Sequence, residues 1–563
     1  MLALVELPRP RRKLCLAVVA AHRFANLRHG HILRAARAPT TPGERPILES
    51  TNERTAFVRN ALTSYGSRAL LLASALVLTP YLFRTLGEAG FGTWSVIFAL
   101  ATVFNLLEVG ISAGLIRFVA KHRAAGERAA LLAVARAGAV VMASVGLLAA
   151  GLAVLAAFAL DGLAAERYRD DFRLGLLVLA GAMLVRFTCV AAGAVLNGYQ
   201  RYDLTNASLA LTTVGSLVGS IVAVEAGLGV FGVALAHALA LVVGGLAYVG
   251  LLLKVDRELV LGRRGAGAQV RNLLGFSSYT FLADSMIFVG QRMDVVVIAA
   301  VRNAATAAPY AAALKLQSGI QSLTLPLIDM LMPMFSSLWA GGRREEAARR
   351  LTLATRATLQ VTLPLAAGIA LFAPDIVRLW LGEDASGVTT TIIVCLMAVQ
   401  CLTLAPFAAE KALIAVGRVR AIGTLALFEG VGNVCLSIVL TVRYGAVGPA
   451  IGTLLTNGLL APIRFPLACR ALGWPLRRFL RESVGAALLS SVPALALLGV
   501  LFLTLPDGAL RAVAGPAAGL LLALAVAAHQ LRGRGRIGRG GRRVSDQGDA
   551  GIDARVPSGN LLP

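Results

Sequence analysis

An all-α integral membrane protein of about fourteen transmembrane helices is the fold class this sequence predicts, and three observations carry it. Of 563 residues, 57% are hydrophobic and only 15% charged, with mean hydropathy +0.74; soluble globular proteins are usually about 45–50% apolar and about 25% charged. The apolar residues gather into continuous runs of the roughly 20 residues that a bilayer-spanning helix needs. Basic residues also concentrate in alternate inter-run loops, the asymmetry that orients a chain in a membrane. Such apolar content excludes a disordered or fibrous chain. Runs rich in Leu, Ala and Val exclude barrel strands, which are about 10 residues of strict alternation.

Taken in order, residues 1–55 read as a disordered basic tail, Arg- and Pro-rich with no helical apolar period. The stretch Leu14 to Ala21 is apolar but short, and a floppy extension is the better reading than a signal peptide. Runs at 60–82, 91–113, 131–158, 173–196, 206–226 and 230–253 form a first six-helix lobe, residues 56–255. Runs at 273–300, 307–338, 351–377, 388–411, 420–442 and 445–463 form a second, residues 256–470. Runs at 483–505 and 510–530 form a C-terminal helix pair, residues 471–531, and 532–563 is a second disordered basic tail. Loops after even-numbered runs hold Arg117, Lys121, Arg123 and Arg128, then Lys254 to Arg271, Arg343 to Arg350, and Arg464 to Arg481. The 160–171 loop, on the other side, carries Asp161, Glu166, Asp170 and Asp171. Both basic tails then belong in the cytoplasm, which an even number of spans permits. The net charge of +24 and the pI near 11.0 follow from these loops and tails, so nucleic acid is not an expected partner. Six scattered cysteines without CxxC spacing support neither a disulfide framework nor a zinc site. No metal or cofactor is expected.

The first twelve runs read as two copies of six. Trp94 corresponds to Tyr310 at an offset of 216, Leu196 and Arg201 to Leu413 and Arg418 at 217, and Gly229 and Gly232 to Gly445 and Gly448 at 216. An even number of spans per copy makes the two copies parallel, which suits a transporter whose substrate site lies between halves.

The stretch Thr79-Pro80-Tyr81-Leu82-Phe83-Arg84-Thr85-Leu86-Gly87, followed by Gly90-Phe91-Gly92-Thr93-Trp94, resembles a known family, as does Leu107-Glu108-Val109-Gly110-Ile111 running to Arg117-Phe118-Val119-Ala120. Met293 to Ile298, Tyr310 to Ala313, Gly417-Arg418 and Gly445 to Gly448 extend the likeness over roughly residues 55–530. The family is that of polysaccharide biosynthesis proteins, the O-antigen and exopolysaccharide flippases of the multidrug/oligosaccharidyl-lipid/polysaccharide exporter superfamily. Glu108 stands where an Asp is common, which keeps the carboxylate. The resemblance implies a fourteen-helix, two-lobed protein of the inner membrane. It also implies movement of polyprenyl-pyrophosphate-linked oligosaccharide by alternating access, with membrane lipids and polysaccharide assembly proteins as partners.

A charge at the bilayer centre costs about 2.5–3.5 kcal/mol on insertion scales and so needs a partner or a wet cavity. An anionic pyrophosphate head calls for cations, with Arg able to grip phosphate bidentately and Lys acting as a point charge. Arg68, Arg186, Arg292 and Lys315 are the candidates. Arg68, about 12 Å into the first run, lines a cavity or snorkels to the cytoplasmic face. Asp284, Asp294 and Glu429 are expected to hold those cations in place or to bind a coupling H⁺ or Na⁺. A purely structural Arg292–Asp294 pair competes with substrate contact. Glu108, Glu410 and Lys411, near cytoplasmic ends, read as ordinary interfacial residues. An enzyme is not expected: the loops are too short for a soluble glycosyltransferase or polymerase domain. Neither G-x-x-x-x-G-K-[ST] nor HExxH occurs. A drug/cation antiporter and a lipid II flippase are the closer rivals.

Overall fold

The computed structural model describes residues 51–261, 293–329, 331–383 and 386–522, with isolated positions 270, 524 and 525. The chain divides into two compact units, Met1–Arg59 and Asn60–Pro563. Among the described residues all regular structure is helical. In chain order the helices are α1 (Thr51–Phe104), α2 (Leu106–Ala124), α3 (Arg128–Ala159), α4 (Arg169–Gly198), α5 (Tyr202–Glu225) and α6 (Gly229–Val255). Then come α7 (Asp294–Val301), α8 (Ala304–Asp329), α9 (Leu331–Ala340), α10 (Arg344–Leu371), α11 (Ala373–Trp380) and α12 (Ser386–Ala415). The chain continues with α13 (Val419–Tyr444), α14 (Gly448–Leu460), α15 (Arg464–Leu472), α16 (Ala486–Thr504) and α17 (Ala509–Leu522).

Eight helical stretches among the described residues are long and apolar enough to cross a membrane, and the chain is a multi-pass membrane protein. Two of the eight, Thr63–Phe104 with 42 residues and Val419–Leu472 with 54, far exceed the roughly 20 residues of one span. The first turns at Gly87, whose φ of 69° and ψ of 176° leave the helical region; only a residue without Cβ takes that geometry cheaply. The second turns at Gly445, φ 59°. The expected loops at these two places shrink to a residue or a single short turn. Elsewhere the ninth run is more broken than hydropathy suggests, α11 bending from α10 by 65°. Most of the seventh run and the end of the fourteenth lie outside the described residues, as do both tails up to residue 50 and beyond residue 525.

Lipid offers no hydrophobic drive for helix association, so close packing of small residues must supply it. Ala is accordingly the commonest member of the largest apolar cluster, which joins Ile97 of α1, Phe172 of α4 and Val233 of α6 to Ile298 of α7, Ala308 of α8 and Ile392 of α12. Two further clusters are local. One packs α2, α3, α4 and α6 around Leu115, Leu132, Val195 and Leu252. The other packs α9, α10, α12 and α15 around Phe335, Leu351, Ala408 and Phe465. Outward-facing Leu155, Val222, Leu459, Leu489 and Leu503 are exposed, the surface expected to face acyl chains. At the end of α6, Arg128 bonds Asp256 bidentately and reaches Glu258, and Tyr199 Oη donates to Asp256 at 3.2 Å. Hydrogen bonding by Arg128 holds the Asp256 carboxyl below its ordinary range.

Candidate functional site

Three polar clusters lie inside the helical packing. The first centres on Asp294, the opening residue of α7 and 3% exposed. A carboxylate in a helix's first turn faces N–H groups that have no intrahelical partner. Its Oδ2 accepts from Tyr310 Oη of α8 at 2.5 Å and from Thr453 Oγ1 of α14 at 3.3 Å, and its Oδ1 accepts from Ser437 Oγ of α13 at 2.9 Å. Asn433, one turn before Ser437, accepts from Thr453 at 3.0 Å. Asp294, Tyr310 and Thr453 line a small cavity with Gln317, Gln321 and Thr403. Among the described residues no three His, Cys, Asp or Glu gather as a multivalent metal would require. One carboxylate ringed by neutral oxygens suits a proton or a monovalent cation.

The second cluster is cationic. Arg186, in the middle of α4, donates through Nη1 to Glu108 Oε2 at 2.8 Å and to Asn105 Oδ1 at 3.4 Å. Asn105 is the break between α1 and α2. Lys315 of α8 places Nζ 4.4 Å from the Phe98 ring centroid, a cation–π contact from the second half of the sequence onto the first. His237 of α6 packs edge-on against Phe98 at 5.5 Å and Trp94 at 5.8 Å, and its Nδ1 lies 3.0 Å from Ser216 Oγ. Arg68 is exposed. It precedes Leu72 by one helical turn, and Leu72 touches Gly319 of α8, where a Cβ would come within 2.8 Å of it. Arg68 therefore lies on the face of α1 turned toward α8.

The third cluster is a buried clamp. Arg464, first residue of α15, is 4% exposed. It bonds Glu429 of α13 bidentately at 2.5 and 2.7 Å and gives Nε to Glu410 of α12 at 3.0 Å.

Sequence depth alone located Arg186, Lys315, Asp294 and Glu429 but not their partners. Glu429 meets Arg464, not Arg68, Arg186 or Lys315. Arg464 itself, expected in a cytoplasmic loop, lies inside because α15 follows α14 after one short turn, Ala461–Ile463. Glu410 and Glu108, expected at the interface, are drawn into ion pairs. Lys411 does reach a partly open setting, 2.8 Å from Asp329. His237 is a residue that the sequence reading above passes over. Its displacement of 216 residues from Thr453 is the signal that would have singled it out. Asp284 and Arg292 lie outside the described residues.

A helical multi-pass membrane protein with charged clusters enclosed between its helices is the class these features define. The model of the family described as polysaccharide biosynthesis protein matches residues 58–339, just over half of the chain, and the chain belongs to that family. Its structure is similar to that of an inward-facing multidrug resistance MATE family transporter of the MOP superfamily, at 17% identity over 73% of this chain and 96% of that one, TM-score 0.64. It is also similar to lipid II flippase MurJ in an inward closed conformation, at 14% identity over 84% and 99%, TM-score 0.62. An outward-facing MATE transporter matches at 16% identity over 75% and 96%, TM-score 0.56. At such identities the likeness is one of fold. No curated protein matches the chain.

Proposed function

We propose that the protein is a flippase that carries polyprenyl-pyrophosphate-linked oligosaccharide across the inner membrane by alternating access, for surface polysaccharide biosynthesis. Two six-helix lobes, residues 56–255 and 256–470, rock about a site between them, with the C-terminal pair alongside and both termini cytoplasmic. The observation that carries this reading is the cationic cluster inside the helical packing, Lys315 of the second half lying on Phe98 beside His237 and Arg186 of the first half bound to Glu108 and Asn105. Among the described residues, Nη1 of Arg186 is engaged with Glu108 and Asn105, and a guanidinium carries five N–H donors. A pyrophosphate head entering there meets Arg186 and Lys315, and Arg68 guards the approach along α1. Arg292 and Asp284 keep, on sequence grounds alone, the substrate-binding and charge-pairing roles expected of them.

Asp294 supplies coupling in this scheme. A Na⁺ or H⁺ held among Asp294, Tyr310, Ser437 and Thr453 ties α7, α8, α13 and α14 together, and its departure frees them. Asp294→Asn keeps the shape and removes the charge, so export should lose its dependence on the ion gradient and fall at least about tenfold, about 1.4 kcal/mol. Undiminished export under an imposed Na⁺ or pH gradient would reject the role.

Deletion of the gene should accumulate undecaprenyl-linked sugars, read by mass spectrometry, and wild-type levels of those lipids would overturn the proposal. The pair Arg186→Ala with Glu108→Gln leaves no buried carboxylate alone. A charge-assisted hydrogen bond is worth about 1.5–3 kcal/mol, so export should drop about ten- to hundredfold while the protein still inserts. A drug/cation antiporter of the same fold is favoured only by the cation-suited Asp294 cavity. It predicts drug sensitivity on deletion with no build-up of lipid-linked sugar.

A further inference from the structure

α11 leaves α10 at a bend of 65°, and the C-terminal helices grip that elbow. Phe372 stands at the break and is fully buried. Its ring meets Phe502 of α16 edge-on, with centroids 5.6 Å apart. Gly515 of α17 comes so near that a Cβ there would stand 2.5 Å from the Phe372 ring. One turn earlier, a Cβ on Gly368 of α10 would stand 3.1 Å from Pro516 Cα of α17. Asp375, in the first turn of α11, is 5% exposed, and Arg511 Nε of α17 lies 3.2 Å from its Oδ2. Among the described residues Arg511 is the ionic partner of Asp375. The guanidinium is itself held by Asp507 and lies 3.9 Å over the Phe502 ring, a cation–π contact.

The far end of α11 meets α1. Arg84 Nη2 donates to the Leu379 carbonyl and Trp380 Nε1 donates to the Leu76 carbonyl, both at 2.8 Å. α11 has 8 residues, a rod of roughly 12 Å. A helix shorter than about 12–15 residues is marginal on its own, so packing decides where this one points. Ala373 and Val377 are fully buried in the largest apolar cluster. One end of the rod is thus set by the C-terminal pair, and the other receives α1. Under the proposed topology α1 and α11 meet at the extracytoplasmic end, where the halves of an alternating-access protein must part.

We infer that the C-terminal helix pair positions the outer closure of this protein: Arg511, by neutralising the buried Asp375, holds α11 at the angle that presents Leu379 and Trp380 to α1. Arg511 is a positioning residue, acting on α1 through α11. Without the guanidinium, Asp375 stands charged in a dry elbow, and α11 relieves that state by tilting until the carboxylate reaches water. Tilting about the elbow displaces the far end most, so α1 loses the two hydrogen bonds it makes there. The inference rests on alternating access as proposed above, and it uses no residue of the head-group or coupling sites.

Hydrogen–deuterium exchange of the full chain in detergent reads both ends of the rod. Arg511→Met should speed exchange of the α11 amides and, beyond them, of residues 76–88 of α1, each at least about tenfold. Arg511→Lys keeps a cation beside Asp375 and should restore most of the protection of α1. The route is checked in a chain that also carries Arg84→Ala and Trp380→Phe. There α1 no longer holds α11, so adding Arg511→Met should leave residues 76–88 unchanged. Gly515→Ala presses on Phe372 without touching charge. It serves where Arg511→Met does not fold, and it should speed exchange at α11 and α1 alike. Faster exchange confined to α11 and α17 overturns this inference and leaves the flippase reading standing. An equal increase at α1 with and without Arg84→Ala and Trp380→Phe does the same. The flippase reading fails separately, by wild-type levels of lipid-linked sugar on deletion of the gene.

Discussion

Replacing Arg464 by alanine is expected to cost about 3–5 kcal/mol of stability, the penalty for leaving buried charge without its partner. The Arg464 and Glu410 side chains are 5% and 7% exposed, and that of Glu429 is 15% exposed. Removing the guanidinium strands two carboxylates in the same dry space, where each was satisfied by short bonds. The clamp joins α12, α13 and α15, so its loss loosens three helices at once. The expected readout is a markedly lower thermal unfolding temperature in detergent and poor yield from membranes. A second variant separates charge from shape: Arg464→Met with Glu410→Gln and Glu429→Gln removes all three charges together. Neutral replacement of a buried ionic group is often tolerated, so the triple variant should recover most of the lost stability. Arg464→Ala unfolding at the wild-type temperature would refute the clamp, as would a triple variant no better than the single one.

Arg464 also marks how far the sequence could be read. Apolar runs made the helical membrane class legible, because burying twenty consecutive apolar residues in lipid is a property of composition alone. Their breaks at 83–90 and 443–444 fall on or beside the turns at Gly87 and Gly445, but the break at Asn105, inside the 91–113 run, leaves no mark in hydropathy because the backbone there stays helical. Charge counting placed Arg464 in a loop since it ends an apolar run. What pulls it inward are Glu410 and Glu429, 54 and 35 residues away, and such partners have no local signature. The same holds at Asp294. Its depth singled out the carboxylate, but Ser437, Asn433 and Thr453 are ordinary polar residues of membrane helices until packing brings them to it. The repeat was the one long-range signal available, and carried as far as Thr453 it would have pointed to His237.

The second large effect is expected at Gly92. A Cβ added there would stand 1.9 Å from the Ala304 carbonyl oxygen and 2.6 Å from its carbon. Both atoms are backbone at the start of α8, so no side chain can swing aside. Nearby contacts fasten α1 to α11 instead. Arg84 Nη2 donates to the Leu379 carbonyl at 2.8 Å, and Trp380 Nε1 donates to the Leu76 carbonyl at 2.8 Å. Under the proposed topology these residues sit at the extracytoplasmic end, where they close the outer mouth and must part and rejoin in each cycle. Overpacking costs about 1–3 kcal/mol and more where backbone is struck, enough to move a two-state equilibrium about five- to 150-fold. Gly92→Val should therefore hold the outer mouth open. A cysteine placed at Leu72 should become reactive to an impermeant maleimide from outside, and export should fall at least about tenfold with the protein still inserted. Trp380→Phe removes one hydrogen bond, worth about 1 kcal/mol, and leaves the approach of α1 to α8 intact, so it should shift labelling only slightly. That graded pair distinguishes a gate from a general packing defect. A defect would lower the unfolding temperature in proportion to the volume added and leave Leu72→Cys protected. A gate changes labelling first, because the energy of one backbone contact is then being set against the equilibrium between two conformations rather than against unfolding.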